Sequence, residues 1–153
     1  MSKRLTVRPA TIDDMRSVFD LSNDDTVRAN SIHSAKIEWE NHIEWFKSKL
    51  DSKDIIFYIL EFKGNFAGYC YIDRKKNDEW VATIHIAKRY RGKNLGYNLL
   101  KMVCESNSNK NIIAYIKINN FASKKIFEKN NFKIVDSTTI DNKQYILKMA
   151  KWI

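Results

Sequence analysis

Apolar and polar residues change period several times along the 153-residue chain, and each change marks an element. Residues 4–9 alternate, as a half-buried strand does. Thr11 precedes Asp14 by three, close to a capping box, and Ile12, Met15, Val18 and Phe19 recur at helical spacing, so a first helix follows. Residues 23–30 are polar and charged and read as a loop. Ser34 is placed to cap a second helix with a stripe of Trp39, Ile43, Phe46 and Leu50, His42 and Trp45 lying at its edge towards a cleft. From Ile55 the period becomes two, and residues 55–62 and 66–73 form a hairpin about Lys63-Gly64-Asn65. After a polar turn, residues 79–87 are the next strand, with Trp80, Ala82, Ile84 and Ile86 on one face and Val81, Thr83, His85 and Ala87 on the other. Leu95, Leu99, Met102 and Val103 then mark an amphipathic helix that ends near Ser106. Residues 111–118 alternate again, Asn120 opens a short helix containing Ala122, Ile126 and Phe127, and Asn130-Asn131 ends it. Residues 132–135 and 144–149 are final strands joined by a turn near Asp141-Asn142. This order predicts one α/β (α+β) domain over residues 1–153, with a mixed sheet.

Composition agrees with one domain and removes several alternatives. At 44% hydrophobic and 12% aromatic the chain can bury a sizeable core, and one proline with four glycines leaves no room for a low-complexity linker. No apolar run reaches the roughly 18 residues of a membrane span, and Met1-Ser2-Lys3-Arg4 leads into a strand rather than a signal peptide. A soluble, cytoplasmic protein without a membrane partner is expected. Cys70 and Cys104 lie far apart without clustered histidines, which predicts buried reduced thiols and no metal site. The formal charge of +9 suits an anionic partner, or reflects a general bias to Lys, Asn and Ile. Because the lysines are scattered, a nucleic-acid stripe is not expected.

The stretch Tyr90-Arg91-Gly92-Lys93-Asn94-Leu95-Gly96-Tyr97 carries the first chemistry. It holds two of the four glycines and two cations between a strand and a helix. A helix start leaves backbone N–H groups unpaired and carries about half a positive charge, so a glycine-lined turn feeding it can hold an anion. An ordinary strand-to-helix turn with surface cations is the alternative on local physics alone, since Gly-x-Gly-x-x-Gly and Gly-x-x-x-x-Gly-Lys-Ser/Thr are both absent.

Two segments resolve this by resemblance. Arg91-Gly92-Lys93-Asn94-Leu95-Gly96 resembles the Arg/Gln-x-x-Gly-x-Gly/Ala acyl-CoA loop of the GNAT N-acetyltransferases. Asn120-Phe121-Ala122-Ser123, then Ile126-Phe127-Glu128-Lys129-Asn130-Asn131-Phe132, resembles their Asn-x-x-Ser and Tyr-Glu-Lys-x-Gly-Phe segment. The resemblance implies a mostly antiparallel sheet of about seven strands flanked by four helices and splayed at the fourth and fifth strands, with acetyl-CoA as the cofactor. Backbone amides at Gly92, Lys93, Asn94, Leu95 and Gly96 would hold the pyrophosphate with Arg91 alongside. The strand edge at Ile84, Ile86 and Ala87 would pair with the pantetheine amides. Asn120 and Ser123 would contact the other side of the cofactor, and helix capping is an alternative role for Asn120. Asn94 departs from the pattern's glycine, yet Asn tolerates positive φ and caps helices. Phe127 replaces a tyrosine that in many members protonates the leaving thiolate, and Val81 and Thr83 occupy the region where many carry a carboxylate. His85 becomes the candidate catalytic base, with an unperturbed pKa near 6.5, against the alternative of a structural histidine. Glu79, His42 and Asp73 are weaker candidates.

The N-terminal third would set the acceptor. The stretch from Ser22 to Ser31, followed by His42-Ile43-Glu44-Trp45-Phe46, looks like the Asn-x-x-x-Val-Arg and His-x-x-Trp-Phe pattern of one branch, which acetylates 4-amino sugars of UDP-hexoses in pseudaminic-acid-type pathways. Arg28, Asn30, His42 and Trp45 would then bind an anionic sugar nucleotide bearing a primary amine. A surface salt bridge for Arg28 and a core-edge aromatic for Trp45 are the alternatives. The pattern is shared with ribosomal-protein and protein N-terminal acetyltransferases, the second reading. A non-catalytic acyl-CoA-binding module is a third, kept open by the missing tyrosine and carboxylate. A monomer or homodimer is expected.

Overall fold

The computed structural model describes residues 4–140 and 144–151. Its elements run β1 (Leu5–Pro9), α1 (Met15–Ser22), α2 (Asp25–Asn30), α3 (Trp39–Asp51), β2 (Ile55–Phe62), β3 (Asn65–Arg74), β4 (Glu79–Ile86), α4 (Leu95–Ser106), β5 (Asn111–Lys117), α5 (Phe121–Lys129), β6 (Phe132–Ile140) and β7 (Gln144–Lys151). The seven strands form one sheet in the order β1-β2-β3-β4-β5-β7-β6. Every pairing is antiparallel except β4 with β5. A parallel pair needs a long crossover, and α4 supplies it.

The alternation along each strand gives the sheet two apolar faces. On one, Leu99, Leu100 and Val103 of α4 and Phe127 of α5 pack on Cys70, Ile72, Ile84, Ile112, Ile116 and Met149. On the other, Val18, Leu21, Val27 and Phe46 pack on Phe57, Ile59 and Tyr69. Each fully buried side chain of this size contributes about 1.5–3 kcal/mol. Both cysteines are buried and unpaired, and burial pushes both thiols up.

The Thr11–Asp14 capping box forms, at the head of a short 3-10 turn that leads into α1. Arg8 reaches the Asp14 carboxylate through two bonds of 2.8 Å, and the Thr11 N–H donates to it at 2.8 Å. Burial alone would raise this carboxyl, but the Arg8 and Thr11 bonds outweigh it and hold it below the usual range.

Four expectations change. The loop expected over residues 23–30 contains the short α2, which stands beside the four expected longer helices α1, α3, α4 and α5. Asp24 nucleates α2 by accepting from Thr26 N and Val27 N, and Val27 is its one buried residue, too little for a periodic signal. Ser34 caps nothing: α3 starts at Trp39 after Glu38. His42 sits at the centre of the buried face of α3 rather than at its edge, 1% exposed and hydrogen-bonded to the Met15 carbonyl. β6 continues to Ile140, well past residue 135. The turn expected near Asp141-Asn142 lies outside the described residues.

Candidate functional site

The sheet opens where β4 and β5 part. Their pairing is confined to Glu79↔Asn111, Trp80↔Ile112 and Val81↔Ile113, after which β4 continues beside β3 and β5 beside β7. Backbone groups of a strand point alternately to its two neighbours. The Ala87 N–H donates to Ala67 O of β3 at 2.8 Å, so the odd positions of β4 face β3, and the N–H groups of Ile84 and Ile86 face the opening. Ala87 is therefore turned away from the place expected of it.

Two cavities meet at this opening. One, of about 850 Å³, runs from Ile84, His85 and Ile86 to the turn at Arg91–Gly96 and the outer face of α5. The other, of about 570 Å³, lies towards α1, α2 and α3, with Arg28, Trp45, Tyr69, Tyr71 and Thr83 in its wall. Asn30, Ile84, His85, Asn120 and Ser123 line both. Apart from Ala87 and the weaker base candidates Glu79 and Asp73, every residue proposed from sequence for the site lines one cavity or both, and Phe127, expected on the cofactor side, borders only the smaller one.

The turn has the shape of an anion cradle. Gly92 has φ +79°, and Asn94 stands in the left-handed region at φ +65° and ψ +17°. Asn is among the few side-chain-bearing residues that visit that region routinely. Asn94 is the first flanking residue of α4, yet its side chain makes no capping bond, so the helix start keeps its amides for a ligand. Lys93, Lys125 and Lys129 also line this cavity and add positive charge. Gly96 lets α4 approach α5 closely: a Cβ there would lie 2.6 Å from Ile126 Cδ1. The guanidinium of Arg91 is already engaged, through Nε to Ile86 O at 2.9 Å and Nη2 to Asp24 Oδ1 at 3.2 Å. Asn120 caps α5 by accepting from Ser123 N at 3.3 Å while also facing both cavities.

His85 projects between the cavities with its ring against Tyr69, the centroids 5.4 Å apart. Burial, followed by the charges of Arg28 and Arg91, pushes its pKa down to about 4. It is thus a neutral imidazole at physiological pH, in place of the expected near-neutral group. Among the described residues, nothing hydrogen-bonds to its ring nitrogens. Glu79 is paired with Lys148 at 3.0 Å, Asp73 lies between Lys49 at 3.5 Å and Lys75 at 3.1 Å, and neither lines a cavity. His42 lines the smaller cavity, but its Nε2 is spent on Met15 O at 2.9 Å. Phe127, 2% exposed, borders the same cavity and meets Phe132 edge-on at 4.9 Å. Arg28 holds Ser22 O, His33 O, Ala35 O and Ser31 Oγ at 2.7–3.2 Å, a clasp on the loop after α2 rather than a salt bridge.

Sequence reasoning missed Tyr69 and Ser22, whose hydroxyls meet at 2.7 Å in the cavity wall. Their strand and helix positions gave them no distinguishing pattern. Asp24 was also missed, although an Asp three residues before an apolar position in a polar run is a helix-start signal.

A model of the acetyltransferase (GNAT) domain family matches residues 4–133. No curated protein matches the chain. Among solved structures, the yncA protein of Salmonella typhimurium with its cofactor acetyl-CoA superposes with a TM-score of 0.80 at 16% identity, covering 97% of this chain and 92% of that one. Spermidine N-acetyltransferase of Vibrio cholerae, in complex with CoA and spermine, gives 0.82 at 14% identity, covering 97% and 95%. RimL, a ribosomal L7/L12 α-N-protein acetyltransferase in complex with coenzyme A, gives 0.82 at 11% identity, covering 97% and 93%.

Proposed function

The chain belongs to the GNAT acetyltransferase family and is an acetyl-CoA-dependent N-acetyltransferase, and from that premise we propose that its acceptor is the primary amine of an anionic, nucleotide-activated amino sugar. The observation that carries this reading is the wall of the smaller cavity. Among the described residues it holds the permanent charge of Arg28 and no carboxylate. A polyamine entering such a wall would leave its ammonium groups desolvated and unpaired, which is costly. Trp45 and Tyr71 offer aromatic surface for a sugar or base, and Asn30, Asn41 and His33 offer polar contacts.

The larger cavity takes the cofactor. The amides of Gly92 to Gly96 hold the pyrophosphate at the start of α4, helped by Lys93, while Arg91 braces the end of β4. Ile84 and Ile86 present strand-edge amides to the peptide-like pantetheine arm, and Asn120 and Ser123 close the opposite side. Acetyl-CoA supplies an activated acyl thioester. The Ile86 N–H, which faces the opening, would donate to the acyl oxygen as negative charge builds on it. His85, neutral and with no hydrogen bond to its ring nitrogens among the described residues, would take a proton from the amine as the CoA thiolate leaves.

A thiol-release assay over a panel of UDP-4-amino sugars, spermidine and N-terminal peptides tests the acceptor. The expected result is turnover of a UDP-amino sugar with kcat/KM at least tenfold above that of spermidine or any peptide. Preferred turnover of spermidine would overturn the reading.

A further inference from the structure

α2 borders both cavities and has little to hold it in place. Thr26, Val27 and Asn30 line the cofactor side, and Arg28 and Asn30 the acceptor side. A six-residue helix is not stable by itself, and this one buries a single side chain. It is held by tethers. At its start, Asp24 Oδ1 accepts from Thr26 N at 2.9 Å, from Val27 N at 3.1 Å and from Arg91 Nη2 at 3.2 Å. At its end, Lys117 of β5 donates to Ala29 O at 2.9 Å, and Arg28 clasps the carbonyls of His33 and Ala35.

We propose that Asp24 is a positioning residue that couples the two substrates: one oxygen ties the cofactor turn to α2, and α2 carries Arg28 and leads into Ser31, Ile32 and His33, which wall the acceptor cavity. The inference rests on assigning the two cavities to cofactor and acceptor. The turn from Arg91 to Gly96 passes through two left-handed residues and ends at a helix start without a side-chain cap. An anion on its amides fixes the turn, the fixed turn fixes Arg91 between Ile86 O and Asp24, and Asp24 fixes the first turn of α2. The expected coupling between the two sites is about tenfold.

Asp24→Asn separates the two tasks of this side chain, because Asn caps a helix as well as Asp but carries no charge for Arg91. Hydrogen exchange on the full chain with and without acetyl-CoA reads the coupling without an acceptor. In the wild type, acetyl-CoA should slow exchange both at residues 92–97 and at residues 25–35. In Asp24→Asn the protection at 92–97 should remain while that at 25–35 is lost. The UDP-amino sugar KM should rise about tenfold, with kcat within twofold. Asp24→Ser, also a good cap, should behave alike, and Arg91→Gln should lose the same protection at 25–35 with no further loss in the double variant. If residues 25–35 of both cap-retaining variants are still protected by acetyl-CoA, the coupling through Asp24 is wrong. Absence of protection at 92–97 in the wild type would instead strike the assignment of the cofactor cavity, and the coupling with it.

Discussion

His85 is the residue on which the chemistry of the opening turns, and its surroundings set its charge. Enclosed by protein and facing Arg28 and Arg91, it holds a pKa of about 4, so it stays neutral across the working range. If it takes the proton, the acid limb of kcat/KM that it controls lies near pH 4, and a limb near neutrality belongs to the acceptor amine. His85→Ala should lower kcat by about 10²- to 10⁴-fold, the usual contribution of a positioned base, and abolish the limb near pH 4. Unchanged kcat and an unchanged profile would remove it from the mechanism. Asn94 makes a sharper structural demand, because its left-handed backbone is open to Gly and closed to branched residues. Asn94→Gly should leave the acetyl-CoA Kd within about twofold. Asn94→Val should raise it tenfold or more by calorimetry, since a strained turn misplaces several amides at once.

Among the elements, the contact of α4 with α5 decides how the cofactor cavity keeps its width. A Gly96→Ala methyl would press on Ile126 Cδ1, which lines the cavity. Gly96→Ala should therefore weaken acetyl-CoA binding about tenfold, and Ile126→Val, which deletes that Cδ1, should restore most of it. Restoration by Ile126→Val but not by a distant Val substitution, such as Ile72→Val, is the required pattern. The elements that the sequence announced are those with many alternating or periodic apolar positions. β2 and β4 were placed within a residue because Phe57, Ile59 and Trp80, Ala82, Ile84 repeat at period two. The turn at Arg91–Gly96 was legible because Gly and Asn report backbone conformation directly. α2 has no period to read, since it buries one Val in six residues; its only local signal is the Asp24 cap, and its other tethers, Arg91 and Lys117, are distant in sequence. The place of His42 was hidden for a related reason: its neighbours Phe19, Trp39 and Phe46 and the Met15 carbonyl decide it. Residues 84 to 87 were read as one edge, and only the pairing of Ala87 with Ala67 shows which amides face the opening.

For the whole molecule, both internal histidines bind protons less readily in the fold than in the unfolded chain, His42 and His85 each because of burial first. Below pH ~6.5 the unfolded chain takes up protons that the fold refuses, so stability falls as pH drops from there towards 4. Melting temperature should decline between pH 7 and pH 5, and His42→Gln, which keeps an N–H for the Met15 carbonyl, should lessen the decline. An equal decline in His42→Gln would assign the effect elsewhere. The seam of only three residue pairs between β4 and β5 also bears on how the chain reaches its fold. The β2–β3 hairpin closes through a short turn, whereas the seam waits for the α4 crossover and joins segments about thirty residues apart, a late event by loop entropy. A cut in side-chain size at the seam, such as Ile113→Val, should then speed unfolding while leaving the refolding rate nearly untouched. Ile59→Val in the hairpin should instead slow refolding, so stopped-flow chevrons of the two variants should shift on opposite arms.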